Sequence, residues 1–298
     1  MSYVSLYRKF RPASFDKVVG QNHIIRILSN QLKSGNLSHA YLFTGSRGTG
    51  KTSIAKIFAR AINCTNPLAD GSPCGKCSVC DELSKGNNID VLEIDAASNN
   101  GVDEIRDLRD NVKYLPSVSK YKVYIIDEVH MLSNSAFNAL LKTLEEPPEH
   151  VIFILATTEV QKIPHTVMSR CMRLDFRLLT VNELISLLTG VMNAMNITFE
   201  QEALAAIAEA GQGSARDTLS LADMCVSYCG NNLTYPDVIE ALGVCSPDII
   251  IKLCSYILKG DTDNALREVN DVYSKGKSIN TLAKDVATML SNISYAYN

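Results

Sequence analysis

The sequence lacks any long hydrophobic segment. The chain has 298 residues and starts with the polar, basic stretch MSYVSLYRKFRP. No apolar run approaches the ~18 residues that a membrane-spanning helix needs, and no apolar signal segment follows Met1. We therefore expect a cytoplasmic protein with no membrane among its partners.

An excess of charge of one sign is also absent. The 29 basic and 32 acidic residues give a formal net charge of −3. Any contact with nucleic acid is therefore expected to be local, or to be made within an assembly. Tryptophan is missing too, but the apolar fraction of 46% is enough to bury the cores of two or three domains.

The number of cysteines, nine, is odd and does not fit a disulfide framework. Cys64, Cys74, Cys77 and Cys80 follow the pattern C-x9-C-x2-C-x2-C in the Gly- and Pro-rich segment 64–80, which has no helical periodicity. Four thiolates at this spacing can surround Zn²⁺ tetrahedrally, so we predict a structural zinc site. An iron–sulfur cluster and unligated cysteines are the alternatives. The others are expected to be small core residues, namely Cys171, Cys225, Cys229, Cys245 and Cys254.

Apolar runs alternate with helical periodicity over the first 177 residues. Strands are predicted at 39–44, 90–95, 122–127 and 151–156, with helices near 22–34, 52–63, 102–114 and 135–146. Apolar strands separated by helices predict a parallel sheet covered on both faces. After residue 177 we predict helices only, at 181–193, 200–210, 214–229, 235–242, 247–259, 262–275 and 279–298.

A phosphate-binding motif follows the first predicted strand and precedes a helix. It matches G-x-x-x-x-G-K-[ST] without departure and consists of Gly45, Ser46, Arg47, Gly48, Thr49, Gly50, Lys51 and Thr52. Such a loop surrounds phosphate oxygens with backbone N–H groups, and the helix N-terminus adds partial positive charge. Lys51 is expected to reach the β- and γ-phosphates of ATP, and Thr52 to bind Mg²⁺. A chance glycine turn before a helix is the alternative.

An acidic pair ends the third predicted strand. Four apolar residues, 123–126, lead directly into Asp127 and Glu128. Downstream of a phosphate loop, the Asp holds the magnesium shell and the Glu can polarise the attacking water. The doublet favours ATP hydrolysis over nucleotide binding alone, although a strand that ends in solvated acids is the simpler reading.

Nine motifs appear in the order of a known family. They are LYRKFRPASFDKVVGQ, GSRGTGKT, the four cysteines, IDAASNN, VYIIDEVHMLS, NALLKTLEEPP, FILATTE, SRC and GSARD. Together they resemble the gamma/tau family of bacterial DNA polymerase III, the motor subunits of the sliding-clamp loader among the AAA+ ATPases. The resemblance is dense to about residue 245.

The resemblance implies a role for each matching position. Thr158 matches sensor 1. Arg216 matches sensor 2, which contacts the γ-phosphate bound by its own chain. Arg170 matches the arginine finger that reaches the neighbouring subunit's site. The four cysteines match the zinc ligands, and the segment around adenine is matched by Tyr7, Arg8, Pro12, Val18 and Val19.

The resemblance also implies an organisation and a set of partners. Residues 1–177 would form the AAA+ domain with the zinc module at 64–80, residues 178–243 a helical lid, and residues 244–298 the start of a helical collar. We expect the natural protein to continue beyond residue 298 and to join a hetero-pentamer. Its partners would be other clamp-loader subunits, the sliding clamp and primer–template DNA. No polymerase metal site is evident, so the chain is predicted not to synthesise DNA itself.

Two other functions compete with clamp loading. A phosphotransferase, such as a small-molecule kinase, uses the same phosphate loop. A non-catalytic assembly subunit is disfavoured because Lys51, Thr52 and the acidic pair are all present. One departure concerns DNA: Asn99 and Asn100 are neutral where some relatives carry basic residues facing DNA, and Arg106 is a weaker candidate for that contact.

Overall fold

The computed structural model describes residues 3–85, 88–98, 108–243, 247–274 and 279–297. The chain forms two compact units, one of Met1–Leu184 with Gln212–Asp217, the other of Ile185–Gly211 with Thr218–Asn298. Of the helix predicted at 102–114, residues 108–111 are described and helical. Three residues named above for DNA contact, and one cysteine, lie outside the described residues, namely Asn99, Asn100, Arg106 and Cys245.

A parallel sheet of five strands forms the centre of the first unit. The spatial order of the strands is β2-β3-β4-β1-β5, and every neighbouring pair is parallel. All four predicted strands are confirmed, each within two residues of its predicted ends. The strands are β1 Ala40–Thr44, β2 Val91–Asp95, β3 Lys122–Asp127, β4 Val151–Thr157 and β5 Met172–Asp175.

Helices cover both faces of this sheet, as predicted. Side chains alternate along each strand, so Phe43 and Ile125 enter one core while Leu42 and Ile126 enter the other. The first core is completed by the helices Asn22–Ser34 and Lys51–Ile62. The second core is completed by the helix Asn134–Glu145. A sheet buried on both faces explains why its central strands are almost wholly apolar.

Two elements of this unit were not predicted. The edge strand β5 has the sequence MRLD, and Arg173 and Asp175 are exposed, so it lacks the apolar run that identifies a buried strand. The helix Ser78–Lys85 begins inside the cysteine-rich segment, which we took to lack regular structure. The shorter helices of the unit are Leu6–Lys9 and His165–Met168, and the 3-10 turns are Phe15–Lys17, Val129–Met131 and Val160–Lys162.

The second unit is mostly helical, as predicted, but it also contains two short strands. Thr198–Phe199 pairs in parallel with Asn232–Leu233, so the expectation of helices alone after residue 177 was wrong. Two residues per strand are too few to leave a periodic signal. The helices after residue 177 are Val181–Met195, Gln201–Ala210, Ala215–Cys229, Tyr235–Leu242, Pro247–Lys259, Thr262–Ser274 and Ile279–Tyr297.

The last three helices share a small apolar core. Leu253, Cys254, Val272, Leu282 and Val286 are its buried members. None of the helices in the described part of the chain combines the length and apolar character that a bilayer-spanning segment requires.

Candidate functional site

The carboxyl ends of three neighbouring strands bring the predicted motifs to one edge of the sheet. Gly45 follows β1, Asp127 ends β3 and Thr158 follows β4. Because β4 lies between β1 and β3, these positions are adjacent. In parallel α/β sheets, ligands bind outside the carboxyl ends of the strands. The residues predicted on all three strands therefore share one surface.

The phosphate loop, residues 45–52, turns sharply from β1 into the helix Lys51–Ile62. Gly45 and Gly48 have φ values of 141° and 76°, a range that glycine adopts without strain. A Cβ at Gly45 would overlap Phe176, and a Cβ at Gly48 would overlap Ser214. Both positions need glycine, and the turn leaves the first N–H groups of the helix for a phosphate.

Lys51 is nearly buried, with 6% of its surface exposed. Its Nζ donates hydrogen bonds to the carbonyl oxygens of Gly45 at 2.7 Å and Ser46 at 2.8 Å. Burial lowers the pKa of Lys51 and outweighs the opposite effect of the Glu128 and Asp127 carboxylates, so the pKa lies below its ordinary value. The ammonium group therefore lies against the phosphate loop, within the electrostatic influence of the acidic pair.

Thr52 and Asp127 are in direct contact although they are far apart in sequence. The Thr52 Oγ1 donates to Asp127 Oδ2 at 2.6 Å. The other carboxylate oxygen, Oδ1, accepts the backbone N–H of Glu128 at 3.0 Å. A hydroxyl and a carboxylate oxygen side by side are ligands suited to Mg²⁺. The two residues predicted to bind magnesium are thus brought together.

Glu128 lies at a sharp turn. Its φ of 48° is in the left-handed region, which costs a non-glycine residue about 1–2 kcal/mol. The turn ends β3 and starts the 3-10 turn Val129–Met131. The Glu128 Oε2 accepts a hydrogen bond from Thr158 Oγ1 at 3.0 Å. The residue predicted to polarise water therefore contacts the residue that matches sensor 1.

A histidine that the sequence analysis did not single out completes this group. His130 has a side chain that is only 6% exposed, and its Nδ1 lies 3.0 Å from Thr157 Oγ1 and 3.4 Å from Glu128 Oε2. Its Nε2 lies 3.2 Å from Glu159 Oε1. The sequence signal was present in the motif DEVH, but only the strand order shows that His130 faces the end of β4.

Gln21 is a second residue to which the sequence assigned no role. It is fully buried. Its Nε2 donates to the carbonyl oxygens of Arg177 at 2.7 Å and Thr49 at 3.3 Å, and its Oε1 accepts from the Arg177 N–H at 3.2 Å. One amide therefore ties the phosphate loop to the chain that leaves β5. Its position at the end of the motif LYRKFRPASFDKVVGQ was the only available signal.

Arg216 and Tyr7 are brought together within the first unit. The Arg216 guanidinium lies over the Tyr7 ring, 5.0 Å from its centre, at a distance typical of a cation–π contact. The preceding residue, Ala215, donates its N–H to the carbonyl oxygen of Gly48 at 3.1 Å. The sensor 2 candidate, the adenine segment and the phosphate loop are therefore neighbours.

The rest of the adenine segment is spread over the start of the chain. Arg8 lies in the short helix Leu6–Lys9, and its Nε donates to Tyr7 Oη at 3.1 Å. Val18 packs against the sheet core, while Pro12 and Val19 are half-buried.

Arg170 follows the helix His165–Met168 and is held by an ion pair. Its Nη2 lies 2.8 Å from Glu145 Oε1, and its Nη1 donates to the Thr166 carbonyl at 2.6 Å. The side chain is 33% exposed. The guanidinium is therefore held by two partners and remains partly accessible to solvent.

The four predicted zinc ligands converge. The sulfur atoms of Cys64, Cys74, Cys77 and Cys80 all lie within 4.8 Å of one another. A tetrahedral zinc site with Zn–S bonds of ~2.3 Å places its sulfurs about 3.8 Å apart, so the donor set fits zinc.

Backbone N–H groups support the ionised form of two of these thiols. The N–H of Cys77 points to Cys74 Sγ at 3.4 Å, and the N–H of Cys80 points to Cys77 Sγ at 3.5 Å. Burial raises the pKa of Cys77, but hydrogen bonds from Thr65 and Cys80 outweigh it and lower the pKa to about 6. A thiolate at neutral pH is what a metal ligand requires.

The family described as "DNA polymerase III, delta subunit" matches residues 20–180, more than half of the chain. The family described as "DNA polymerase III clamp loader subunit, ATPase lid domain" matches residues 184–231. The DNA polymerase III subunit gamma of Buchnera aphidicola subsp. Baizongia pistaciae is 43% identical over 264 residues, covering 89% of this chain and 71% of that protein. The chain belongs to the gamma/tau family of DNA polymerase III subunits.

Longer members of the gamma/tau family match over almost the whole chain. The DNA polymerase III subunit tau of Bacillus subtilis is 51% identical over 286 residues, covering 96% of this chain and 51% of that protein. The tau subunit of Escherichia coli is 42% identical over 293 residues, covering 98% and 45% respectively. The chain thus spans about half the length of these relatives.

Solved structures confirm the AAA+ fold. The RuvB Holliday junction branch migration motor of Thermotoga maritima superimposes with a TM-score of 0.59 at 20% identity, over 92% of this chain and 88% of that one. At this level of identity the likeness shows the fold alone.

Proposed function

We propose that the chain binds ATP with Mg²⁺ at the phosphate loop, hydrolyses it, and thereby drives the loading of a sliding clamp onto primed DNA. The contact between Thr52 and Asp127 carries this proposal, because it unites the phosphate loop with the acidic pair across β4. Membership of the gamma/tau family supports the assignment.

Each predicted residue then has a part in the reaction. Residues 45–52 would bind the triphosphate, with Lys51 against its β- and γ-phosphates. Thr52 and Asp127 would hold Mg²⁺, which when bound neutralises charge on the phosphate oxygens. Glu128 would orient the attacking water, and Thr158 lies beside it to sense the γ-phosphate.

The remaining parts of the site depend on elements outside the phosphate loop. Arg216 would contact the γ-phosphate of its own chain, and Arg170 would supply charge to the site of a neighbouring chain. The adenine would lie among Tyr7, Arg8, Pro12, Val18 and Val19, and the four cysteines would hold a structural zinc ion.

The organisation we propose follows the same assignment. Residues 1–177 would be the ATPase domain, 178–243 a lid and 244–298 the start of a collar. Other clamp-loader subunits, in a hetero-pentamer, together with the clamp and primer–template DNA, would be its partners, and the cytoplasm its location. DNA contacts would be mostly to phosphates and therefore sensitive to salt.

The test is release of phosphate from labelled ATP by the full-length protein with its partner subunits. Lys51→Ala should lower turnover at least ~100-fold, because a charged donor to the phosphates is lost. Lys56→Ala is the matched control: it lies on the same helix but pairs with Glu93 at 2.5 Å on the surface, and should change turnover little.

Three outcomes would contradict the proposal. Turnover by the Lys51→Ala protein equal to that of the wild type would exclude the phosphate loop as the site. Label transferred to a small-molecule acceptor instead of free phosphate would indicate a phosphotransferase. Hydrolysis indifferent to the clamp and to primed DNA would exclude clamp loading.

A further inference from the structure

His130 occupies a position that the proposed reaction leaves without a role. Its imidazole is almost enclosed, with 6% of the side chain exposed. Its two nitrogens face three side chains: Nδ1 lies near Glu128 and Thr157, and Nε2 lies near Glu159. A buried histidine with a partner on each nitrogen has a fixed ring orientation.

The turn at Glu128 creates this position. Glu128 has a left-handed backbone at the end of β3, and the 3-10 turn Val129–Met131 that follows it places His130 against Thr157, the last residue of β4. Backbone strain of this kind persists only where the surrounding structure enforces it. The strained residue and the histidine are therefore parts of one local arrangement.

The contacts on Glu128 are one-sided. Among the described residues, Thr158 Oγ1 at 3.0 Å and His130 Nδ1 at 3.4 Å both approach the Oε2 oxygen. A glutamate side chain has three rotatable bonds, so holding its carboxylate in one orientation costs conformational entropy, which these contacts can offset. Because Thr158 and His130 both lie against Oε2, Oε1 is the oxygen that remains to accept a hydrogen bond from a water molecule.

The other side of the ring is anchored as well. Glu159 Oε1 lies 3.2 Å from His130 Nε2, and Lys162 Nζ lies 2.9 Å from Glu159 Oε2. The Thr157 hydroxyl, next to Nδ1, also accepts the N–H of Glu159 at 3.0 Å. The imidazole is thus braced against the turn that follows β4.

We infer that His130 is a positioning residue that holds the Glu128 carboxylate in the orientation needed to activate water. The inference rests on the proposed ATP hydrolysis, because it concerns the residue assigned to the water. It predicts that His130 affects the chemical step and leaves nucleotide binding nearly unchanged. A misplacement of about 1 Å in such a group costs up to ~100-fold in rate.

Two substitutions separate the two ring nitrogens. In His130→Asn the side-chain amide has the same bond distance from Cβ as Nδ1, so the contact to Glu128 can be kept. In His130→Gln the amide extends towards the place of Nε2, so the contact to Glu159 can be kept instead. Both amides supply a donor and an acceptor.

The measurement is single-turnover ATP hydrolysis together with nucleotide affinity, in the full-length protein with its partner subunits. His130→Ala and His130→Gln should lower the hydrolysis rate at least ~10-fold, with the Kd for ATP changed less than ~3-fold. His130→Asn should recover the rate to within ~3-fold of the wild type.

A second histidine serves as the control for loss of packing. His150 directly precedes β4, so it lies at the amino end of the strand, opposite to the proposed site. Its Nε2 contacts the carbonyl oxygen of Val112 at 3.1 Å. His150→Ala removes a histidine from the same unit, and its hydrolysis rate should stay within ~3-fold of the wild type. Thermal unfolding of all variants shows which of them are folded.

The outcomes separate this inference from the function on which it rests. If all three His130 variants hydrolyse ATP at the wild-type rate while Glu128→Gln does not, the positioning role is wrong and the proposed function stands. If His130→Asn is as slow as His130→Ala in folded protein, contact with Glu128 is not what matters and the inference also fails. If the Lys51→Ala and wild-type proteins are equally active, the proposed function itself fails.

Discussion

Gln21, Asn63 and Asp90 are buried polar side chains that bind backbone groups distant in sequence. Gln21 bonds to Arg177 and Thr49, and Asn63 exchanges two hydrogen bonds with the backbone of Tyr121 at 2.9 and 2.8 Å. Buried polar groups are rarely left without partners, because desolvation is costly. These side chains therefore hold loop segments whose backbone groups are not paired within the parallel sheet.

Asp90 is the clearest case. The residue is 1% exposed, and its carboxylate accepts the backbone N–H groups of Ser117, Val118 and Ser119, each at 2.8 Å. Burial raises the pKa of Asp90, but these three donors outweigh it and leave the pKa below the ordinary value of 3.8. The loop before β3 is therefore held by an ionised carboxylate.

We predict that Asp90→Asn lowers the free energy of unfolding by about 1–3 kcal/mol at pH 7, because a charged acceptor is lost from a buried site. A depressed folded-state pKa means that this stabilisation is complete above the unfolded pKa, near ~4, and disappears as the pH falls through the folded value. Urea unfolding between about pH 7 and pH 3 should show the difference between wild type and variant shrinking.

A surface carboxylate gives the comparison for this prediction. Asp110 is exposed and pairs with Lys113 at 3.2 Å, so Asp110→Asn should lower the free energy of unfolding much less than Asp90→Asn does. Equal losses in the two variants, or a gap that stays constant down to about pH 3, would show that the Asp90 carboxylate does not hold the loop.

The sequence identified the residues of this site whose chemistry follows from a local pattern, and it missed two residues whose contacts come from distant parts of the chain. Lys51, Thr52 and Asp127 were predicted because a phosphate loop and a strand ending in acids each have a local pattern. The contacts of Gln21 and His130 depend on the order of the strands in the sheet, and a single sequence does not contain that order.

Secondary structure elements were predictable where burial on two faces left an apolar run. The strands β1, β3 and β4 lie inside the sheet and were found within one or two residues. The edge strand β5 carries Arg173 and Asp175 towards solvent, so its pattern resembled a loop. The helix Ser78–Lys85 was missed because its first turn, with Cys80, lies in the Gly- and Pro-rich segment that carries the metal-ligand pattern.

The zinc site predicted in the cysteine segment can be tested by measuring the metal content of the protein. We predict about one zinc ion per chain, and less than ~0.2 after Cys77→Ser or Cys80→Ser, because a tetrahedral site with three ligands binds zinc weakly. Removing zinc with a chelator under reducing conditions should lower the unfolding temperature. Metal analysis of the purified protein and thermal unfolding check both expectations.

Cys171→Ser is the matched control for the zinc experiment. The Cys171 side chain packs against the core of the sheet and is not one of the four cysteines whose sulfur atoms converge. Its substitution should leave the zinc content unchanged. Iron in place of zinc would identify the alternative cluster, and no metal in the wild type would refute the site.

For the whole molecule, the proposal that one chain acts on the nucleotide of its neighbour can be tested at Arg170. Arg170 is held by Glu145 and Thr166, and its side chain is 33% exposed. We predict that Arg170→Ala lowers turnover by the assembled protein about 10³-fold, because a charge supplied in trans is lost. Nucleotide affinity should stay nearly constant, which equilibrium binding of ATP will show.

Arg173 offers a comparison with another arginine close by in the sequence. It is exposed, pairs with Asp175 at 2.7 Å and lies three residues further along the chain. Arg173→Ala should leave turnover within ~3-fold of the wild type. Hydrolysis at the wild-type rate by an assembled Arg170→Ala protein would show that Arg170 takes no part in the reaction.

The family and the AAA+ fold were both predictable, because nine motifs occur in a fixed order. Neither the contact of Arg216 with Tyr7 nor that of Arg170 with Glu145 could be predicted. Each joins motifs that are separate in the chain, and only folding brings them together.

The helix Asn134–Glu145 has twelve residues and so is about 18 Å long. The turn that carries His130 leads into its start, and Glu145 at its end binds Arg170. A helix moves as a stiff rod, so a shift at one end displaces the other. The ion pair of Arg170 and the turn at the end of β3 are therefore mechanically connected, and a displacement of either one would reach the other by way of Glu145.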